Sequence, residues 1–113
     1  HVILRGGTGG PNYDDESVAH AVAVLAKAGL PQRVMIDASH ANSGKDHVRQ
    51  AEVAVEIAEM VRGGAPISGV MLESFLEPGA QSPDSDDLVY GRSVTDKCMG
   101  WDATEDVLRA LAR

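Results

Sequence analysis

Three side chains that could bind a metal ion follow successive apolar runs of the sequence. His40, Glu73 and Asp96 each stand at or shortly after the end of such a run, and neighbouring pairs are roughly one strand-and-helix unit apart. One imidazole and two carboxylates form a donor set that suits Mn²⁺, Fe²⁺, Co²⁺ or Zn²⁺ better than Ca²⁺. The pattern therefore predicts a divalent metal site, against the alternative that each side chain only caps a helix or binds water.

A fixed positive charge, Arg5, ends the first apolar run and is followed by Gly6 and Gly7. Glycines leave room for the backbone and the guanidinium to approach a phosphate or a carboxylate. Residues 6–10 match neither the dinucleotide-binding nor the P-loop glycine pattern. These residues support an anion-binding turn and a flexible turn equally.

Other polar residues near the predicted site have weaker claims to a functional role. Asp37 either orients His40 through a hydrogen bond or is purely structural, and the sequence favours neither. Lys45 and Arg49 could hold an anionic substrate, but a solvated helix start explains them better. Cys98 could be a metal ligand or a redox-sensitive thiol, but a buried or half-buried structural cysteine is favoured.

Four short apolar runs alternate with three helical patterns along the chain. The runs are at 2–4, 34–36, 69–72 and, more weakly, 93–95, and the helical patterns cover 18–28, 53–61 and 107–111. The first three runs are continuous rather than alternating, which is typical of strands buried on both faces of a parallel sheet. Residues 77–90 are rich in Pro, Gly, Asp and Ser and predict a surface loop.

This order of elements predicts an α/β fold built from strand–helix units. Right-handed crossovers place the strands side by side, so their carboxyl ends meet at one edge and bring the candidate site residues together. Four such units are half of a (β/α)₈ barrel or half of a doubly wound sheet. They leave open edges and one bare face, and His1 starts directly in an apolar run. We therefore expect residues 1–113 to be a single segment of a longer protein.

Composition excludes several classes of function. The chain has 113 residues and a net charge of −7, and it shows no basic patch of the kind that binds nucleic acid. No apolar run approaches the ~20 residues that cross a bilayer. The single cysteine excludes an intrachain disulfide framework and a paired-cysteine zinc module. These features favour a cytoplasmic protein that binds neither nucleic acid nor membrane.

Several longer stretches carry a family resemblance. They are Val2–Gly7, Met35–Ser43, Gly69–Ser74 and Tyr90–Asp96. Over essentially all 113 residues the sequence resembles the C-terminal part of class I 3-deoxy-D-arabino-heptulosonate 7-phosphate (DAHP) synthases. The resemblance implies the C-terminal half, strands five to eight, of a (β/α)₈ TIM barrel, with the N-terminal part of the protein missing.

The resemblance also implies an activity. Synthases of this class condense phosphoenolpyruvate with erythrose 4-phosphate and water to give DAHP and phosphate, the first step of the shikimate pathway. It implies a divalent metal held by His40, Glu73 and Asp96, with a fourth ligand, a cysteine, outside this chain. It assigns catalysis to His40 and Asp96, phosphoenolpyruvate binding to Arg5, and a homo-oligomeric, cytoplasmic enzyme.

Two alternatives remain open at this stage. The segment could be an inactive half-barrel that binds or assembles with another chain, or part of another metal-dependent barrel enzyme. Thr8-Gly9-Gly10, Phe75 and Lys97 depart from the residues common in the family, but none is a presumed metal ligand. Because the fourth ligand and the substrate loop lie outside it, the isolated chain is predicted to have no synthase activity.

Overall fold

A three-stranded parallel sheet, with strand order β1-β2-β3, organises the computed structural model, which describes residues 1–113. The strands are β1 (Ile3–Leu4), β2 (Val34–Asp37) and β3 (Ile67–Met71), and the helices are α1 (Asp15–Lys27), α2 (His47–Arg62) and α3 (Trp101–Ala112). One turn of 3₁₀-helix, His40–Asn42, follows β2. The α/β class, three of the four predicted strands and all three predicted helices are confirmed.

The register of the sheet brings the three strand ends to one edge. Leu4 pairs with Ile36, and Asp37 pairs with Met71. The residues that follow these pairs therefore leave the sheet side by side. The buried core beneath the strands is apolar and consists of Val18, Leu25, Val34, Ile36, Ala38, Val53, Ala54, Ile57, Met99 and Val107.

The predicted fourth strand at 93–95 is wrong. Ser93 makes only an isolated parallel bridge with Ala80, and Thr95 turns back so that its N–H donates to Ser93 Oγ at 3.1 Å. Short hydroxyl side chains compete with ladder pairing through such local bonds. The chain pairs a little later instead, where Ser74 and Met99 form an isolated parallel bridge beyond the end of β3.

Several large apolar side chains on the sheet are exposed in this chain. Ile3 on β1 and Met71 on β3 are 41% and 37% exposed, whereas Val34 and Ile36 on the central strand are fully buried. Trp101, the first residue of α3, is also more than half exposed. Among the three helices, none combines the length and the apolar character that a bilayer crossing requires.

Helix α2 begins six residues before the apolar pattern that predicted it, because a polar first turn is capped. The Asp46 carboxylate accepts hydrogen bonds from the N–H groups of Val48 at 2.9 Å and Arg49 at 3.4 Å. These bonds lower the pKa of Asp46, and the positive charges of His47 and Lys97 act in the same direction. An N-cap of this kind satisfies donors that have no partner within the helix.

The cap predicts how stability depends on pH. Because the pKa of Asp46 is lower in the folded state than in the unfolded chain, its contribution is present above the unfolded value and is lost as pH falls through the folded one. Asp46→Asn keeps a capping oxygen but cannot titrate. We expect the difference in urea unfolding midpoint between the two proteins to shrink as the pH drops from 7 to 3. A difference that does not change with pH would contradict this account.

Candidate metal centre

The segment after β2 is folded tightly around the side chain of Asn42. Its Nδ2 donates to the carbonyl oxygens of Leu4 at 3.0 Å and Asp37 at 2.8 Å, and its Oδ1 accepts the N–H of Asn12 at 2.8 Å. Asn42 is 2% exposed, so these bonds satisfy an amide that is otherwise costly to bury. They tie the ends of β1 and β2 to the 3₁₀ turn that carries His40.

A glycine is required where the first loop crosses this turn. Gly6 has φ +78°, and a Cβ there would lie 2.8 Å from the backbone of Ala41. Any other residue would be strained and would push the turn away. Gly6 therefore allows the loop after β1 to approach the turn that holds His40.

The ring of His40 is oriented by Asp37. His40 Nδ1 lies 2.6 Å from Asp37 Oδ2, and Asp37 is 2% exposed. Because an ionised carboxylate only accepts, Nδ1 carries the proton and donates, which leaves the Nε2 lone pair free in a neutral ring. Ser39 supports the pair, since its Oγ donates to Asp37 Oδ1 at 2.5 Å. Of the two roles left open for Asp37, the geometry favours orienting His40.

The free face of His40 meets two carboxylates. His40 Nε2 lies 3.6 Å from Glu73 Oε1 and 3.8 Å from Asp96 Oδ2. One ligand atom from each of the three residues lies within 4.8 Å of the others. His40 and Glu73 are partly buried, whereas Asp96 is exposed at the rim. The structure thus brings together the three residues that the sequence singled out as ligands.

The donor set fits a divalent transition metal. Two donors that each lie about 2.0–2.2 Å from one ion are about 3–4.4 Å apart, and the observed separations fall within that range. Three carboxylates, those of Asp37, Glu73 and Asp96, surround one imidazole, so a cation would offset their mutual repulsion. Lys45 and Lys97 line the same small polar recess.

Cys98 lies beside the cluster without joining it. Its Sγ is 3.4 Å from the carbonyl oxygen of Asp96 and 3.9 Å from Glu73 Oε2, and the residue is buried, as predicted. Burial raises the pKa of the thiol, and the charges of Glu73 and Asp96 raise it further, against a hydrogen bond from Ser93. With no cation beside it, the thiol therefore keeps its proton at neutral pH.

Arg5 is placed beside the cluster but not within it. It is exposed directly after β1, and its carbonyl oxygen accepts the N–H of Asn42 at 3.2 Å. Its guanidinium does not line the recess that contains His40, Glu73 and Asp96. The structure therefore fixes the backbone of Arg5 at the correct edge of the sheet and leaves its side chain free to meet an anion.

Sequence reasoning missed two residues that shape the site. The sequence pattern gives Asn42 no role beyond its place in the stretch Met35–Ser43, and it gives Gln50 none. Gln50 is 1% exposed, and both ends of its side-chain amide form hydrogen bonds with the main chain of Glu73. A signal was available, because Gln50 stands on the same helix face as the buried apolar residues Val53 and Ile57.

The Asp37–His40 bond leads to a testable expectation. Asp37→Asn removes the charge that favours the Nδ1–H tautomer and lets an amide N–H face the ring instead. Loss of such an outer partner typically weakens metal affinity about 10–100-fold, and we expect a decrease of that size in Mn²⁺ binding measured by titration calorimetry. Asp86→Asn, in the exposed loop, is the matched control. Equal Mn²⁺ affinity in both variants would contradict the role given to Asp37.

Comparisons with known proteins point to one family. The family model described as the DAHP synthetase I family matches residues 1–109. The chain is 55% identical to a phospho-2-dehydro-3-deoxyheptonate aldolase of Corynebacterium glutamicum and 49% identical to the Phe-sensitive one of Escherichia coli. Each match covers 99% of this chain and 32% of the relative. A solved phospho-2-dehydro-3-deoxyheptonate aldolase of Francisella tularensis superposes with a TM-score of 0.96 at 47% identity, over 99% of this chain and 33% of that one. The chain thus spans about a third of the length of the relatives that it matches.

Proposed function

Because the chain belongs to the DAHP synthetase I family, we propose that residues 1–113 form the C-terminal segment, strands five to eight, of a DAHP synthase barrel. In this proposal β1, β2 and β3 are strands five, six and seven. The segment at 93–99, which makes only isolated bridges here, becomes strand eight when the first strand of the barrel lies beside it. Exposed apolar residues on the sheet, such as Ile3 and Met71, are then covered.

The proposed reaction condenses phosphoenolpyruvate with erythrose 4-phosphate and water, and it releases DAHP and phosphate. A carbon–carbon bond forms between the methylene carbon of phosphoenolpyruvate and the aldehyde carbon of the sugar. Water adds to the neighbouring carbon, and the phosphate leaves from it. The observation that carries the proposal is the His40–Glu73–Asp96 cluster at the carboxyl ends of the strands, in a chain about half identical to such enzymes.

His40, Glu73 and Asp96 are the residues that would hold the divalent metal. When bound, that ion supplies a Lewis acid that makes the sugar aldehyde electrophilic. His40 offers Nε2 because Asp37 holds the proton on Nδ1. The donor set suits Mn²⁺, Fe²⁺, Co²⁺ or Zn²⁺.

Asp96 and Arg5 are the residues we assign to the substrates. Asp96 is the most exposed member of the cluster, so its carboxylate can accept a hydrogen bond from a sugar hydroxyl or hold a proton at the reacting aldehyde. Arg5 stands at the same edge of the sheet with an unpaired guanidinium, which suits the phosphate of phosphoenolpyruvate. We further propose that the full-length enzyme is a cytoplasmic homo-oligomer.

The decisive experiment measures phosphate release by the full-length protein. The protein is stripped of metal, given both substrates, and then supplied with Mn²⁺, Fe²⁺, Co²⁺ or Zn²⁺. Release that requires both substrates and a metal is expected, and omission of erythrose 4-phosphate controls for simple phosphatase activity. No release from the folded protein with any of the four metals would favour an inactive binding module.

A further inference from the structure

Gln50 is a buried polar residue on a helix face that is otherwise apolar. It lies in the first turn of α2, is 1% exposed, and shares its face with the buried residues Val53, Ala54 and Ile57. An amide in such a place costs free energy unless both of its ends are hydrogen-bonded. The partners of Gln50 therefore show what its side chain is used for.

Both ends of the Gln50 side-chain amide form hydrogen bonds with the main chain of one residue, Glu73. The N–H of Glu73 donates to Gln50 Oε1 at 2.6 Å, and Gln50 Nε2 donates to the carbonyl oxygen of Glu73 at 3.2 Å. The β2–β3 ladder ends at the Asp37–Met71 pair, so Glu73 lies beyond the last pair of the sheet. On its other side, the N–H of Met99 donates to the same carbonyl at 3.0 Å. Gln50 thus takes the place of a neighbouring strand where the sheet has stopped.

We propose that Gln50 is a positioning residue for the metal centre, which rests on the function proposed above. It fixes the main chain of Glu73 so that the carboxylate reaches the free nitrogen of His40. Glu73 needs such support because a glutamate has three rotatable side-chain bonds and lies beyond the last pair of the β2–β3 ladder. Gln50 touches no reacting atom in this account and acts only through Glu73.

The chain contains a matched control for this amide clamp. Gln81 makes the same kind of bonds in the loop, where its Nε2 donates to the carbonyl oxygens of Val89 at 2.8 Å and Arg92 at 2.9 Å, and its Oε1 accepts the N–H of Val89 at 2.8 Å. None of these partners belongs to the metal cluster. Loss of either clamp removes side-chain-to-backbone bonds, but only loss of the Gln50 clamp is expected to affect a ligand.

The test measures binding of Mn²⁺ alone to the full-length protein, by the EPR signal of the free ion and without substrates. Gln50→Met keeps length and volume but removes both hydrogen bonds. We expect it to weaken Mn²⁺ affinity about 10–100-fold, the loss typical of outer-shell partners of a metal site. Gln81→Met is expected to leave the affinity unchanged. In a Glu73→Ala background, Gln50→Met should add no further loss, because its effect passes through Glu73.

The outcomes separate this proposal from the proposed function. If the wild type binds Mn²⁺ and makes DAHP while folded Gln50→Met binds the ion equally well, the positioning role is overturned and the function stands. If the wild type neither binds Mn²⁺ nor turns over, both fall together. Should Gln50→Met not fold, the alternative is Gln50→Asn, whose side chain is one methylene shorter. It is also expected to weaken Mn²⁺ affinity. Wild-type affinity in that folded variant would likewise overturn the role.

Discussion

Replacing His40 by alanine is expected to abolish tight metal binding and to lower kcat/KM by about a thousandfold or more. The reason is that a bound Lewis acid lowers the activation barrier by several kcal/mol. His40 is the member of the cluster that is close to both other ligands, at 3.6 Å from Glu73 and 3.8 Å from Asp96. Its removal leaves two carboxylates without the donor between them. The measurements are Mn²⁺ titration and steady-state phosphate release by the full-length protein.

The matched control for this substitution is His20→Ala. His20 is exposed on α1, makes no side-chain hydrogen bond and lies outside the cluster. We expect its loss to change neither metal affinity nor turnover. If the His40 variant kept its metal and its activity while remaining folded, the proposed centre would be wrong, although membership of the family would stand.

The sequence predicted that the three candidate metal ligands converge because parallel strands obey a simple rule. Residues that follow neighbouring strands emerge at one edge, so His40 and Glu73 had to lie close together once β2 and β3 were recognised. Asp96 reaches the same place by a different route. The strand predicted before it does not form, and the chain is held there by the bridge between Ser74 and Met99.

The supporting contacts could not be predicted in the same way. Asn42 and Gln50 act through side-chain bonds to the backbone of distant residues, and such bonds leave no periodic pattern in a sequence. The buried position of Gln50 was readable from its place among apolar residues, but its partner Glu73 was not. The left-handed backbone of His40, at φ +50°, likewise has no periodic signal in the sequence.

Two features of the architecture, the start of helix α2 and the fourth strand, were predicted incorrectly because they do not depend on apolar periodicity alone. Helix α2 was predicted too short because its first turn is polar and is stabilised by the Asp46 cap, which apolar periodicity does not detect. The strand at 93–95 was predicted where Ser93 and Thr95 instead bond each other locally. A strand at the margin of a sheet depends on a neighbour, and that neighbour lies outside this chain in the proposed barrel.

Arg5→Ala is the second substitution with a large expected effect, because it removes the cation assigned to the phosphate of phosphoenolpyruvate. Loss of one preorganised donor to a developing negative charge typically costs about 100–1000-fold, and we expect kcat/KM for phosphoenolpyruvate to fall by that amount. Arg5→Lys keeps the charge but not the paired donors of the guanidinium, so it should retain part of the activity. The readout is a full kinetic series in each substrate, together with Mn²⁺ affinity.

The control for Arg5 lies at the opposite end of the sheet. Arg33 is exposed directly before β2, whereas Arg5 directly follows β1, so the two arginines share their chemistry but stand at the amino and carboxyl ends of neighbouring strands. Because substrates of a barrel enzyme bind at the carboxyl ends of its strands, Arg33→Ala should leave the kinetic constants for both substrates unchanged. Mn²⁺ affinity should survive in the Arg5 variant, since the guanidinium does not line the metal recess. A loss confined to metal binding would instead place Arg5 among the structural supports of the 3₁₀ turn.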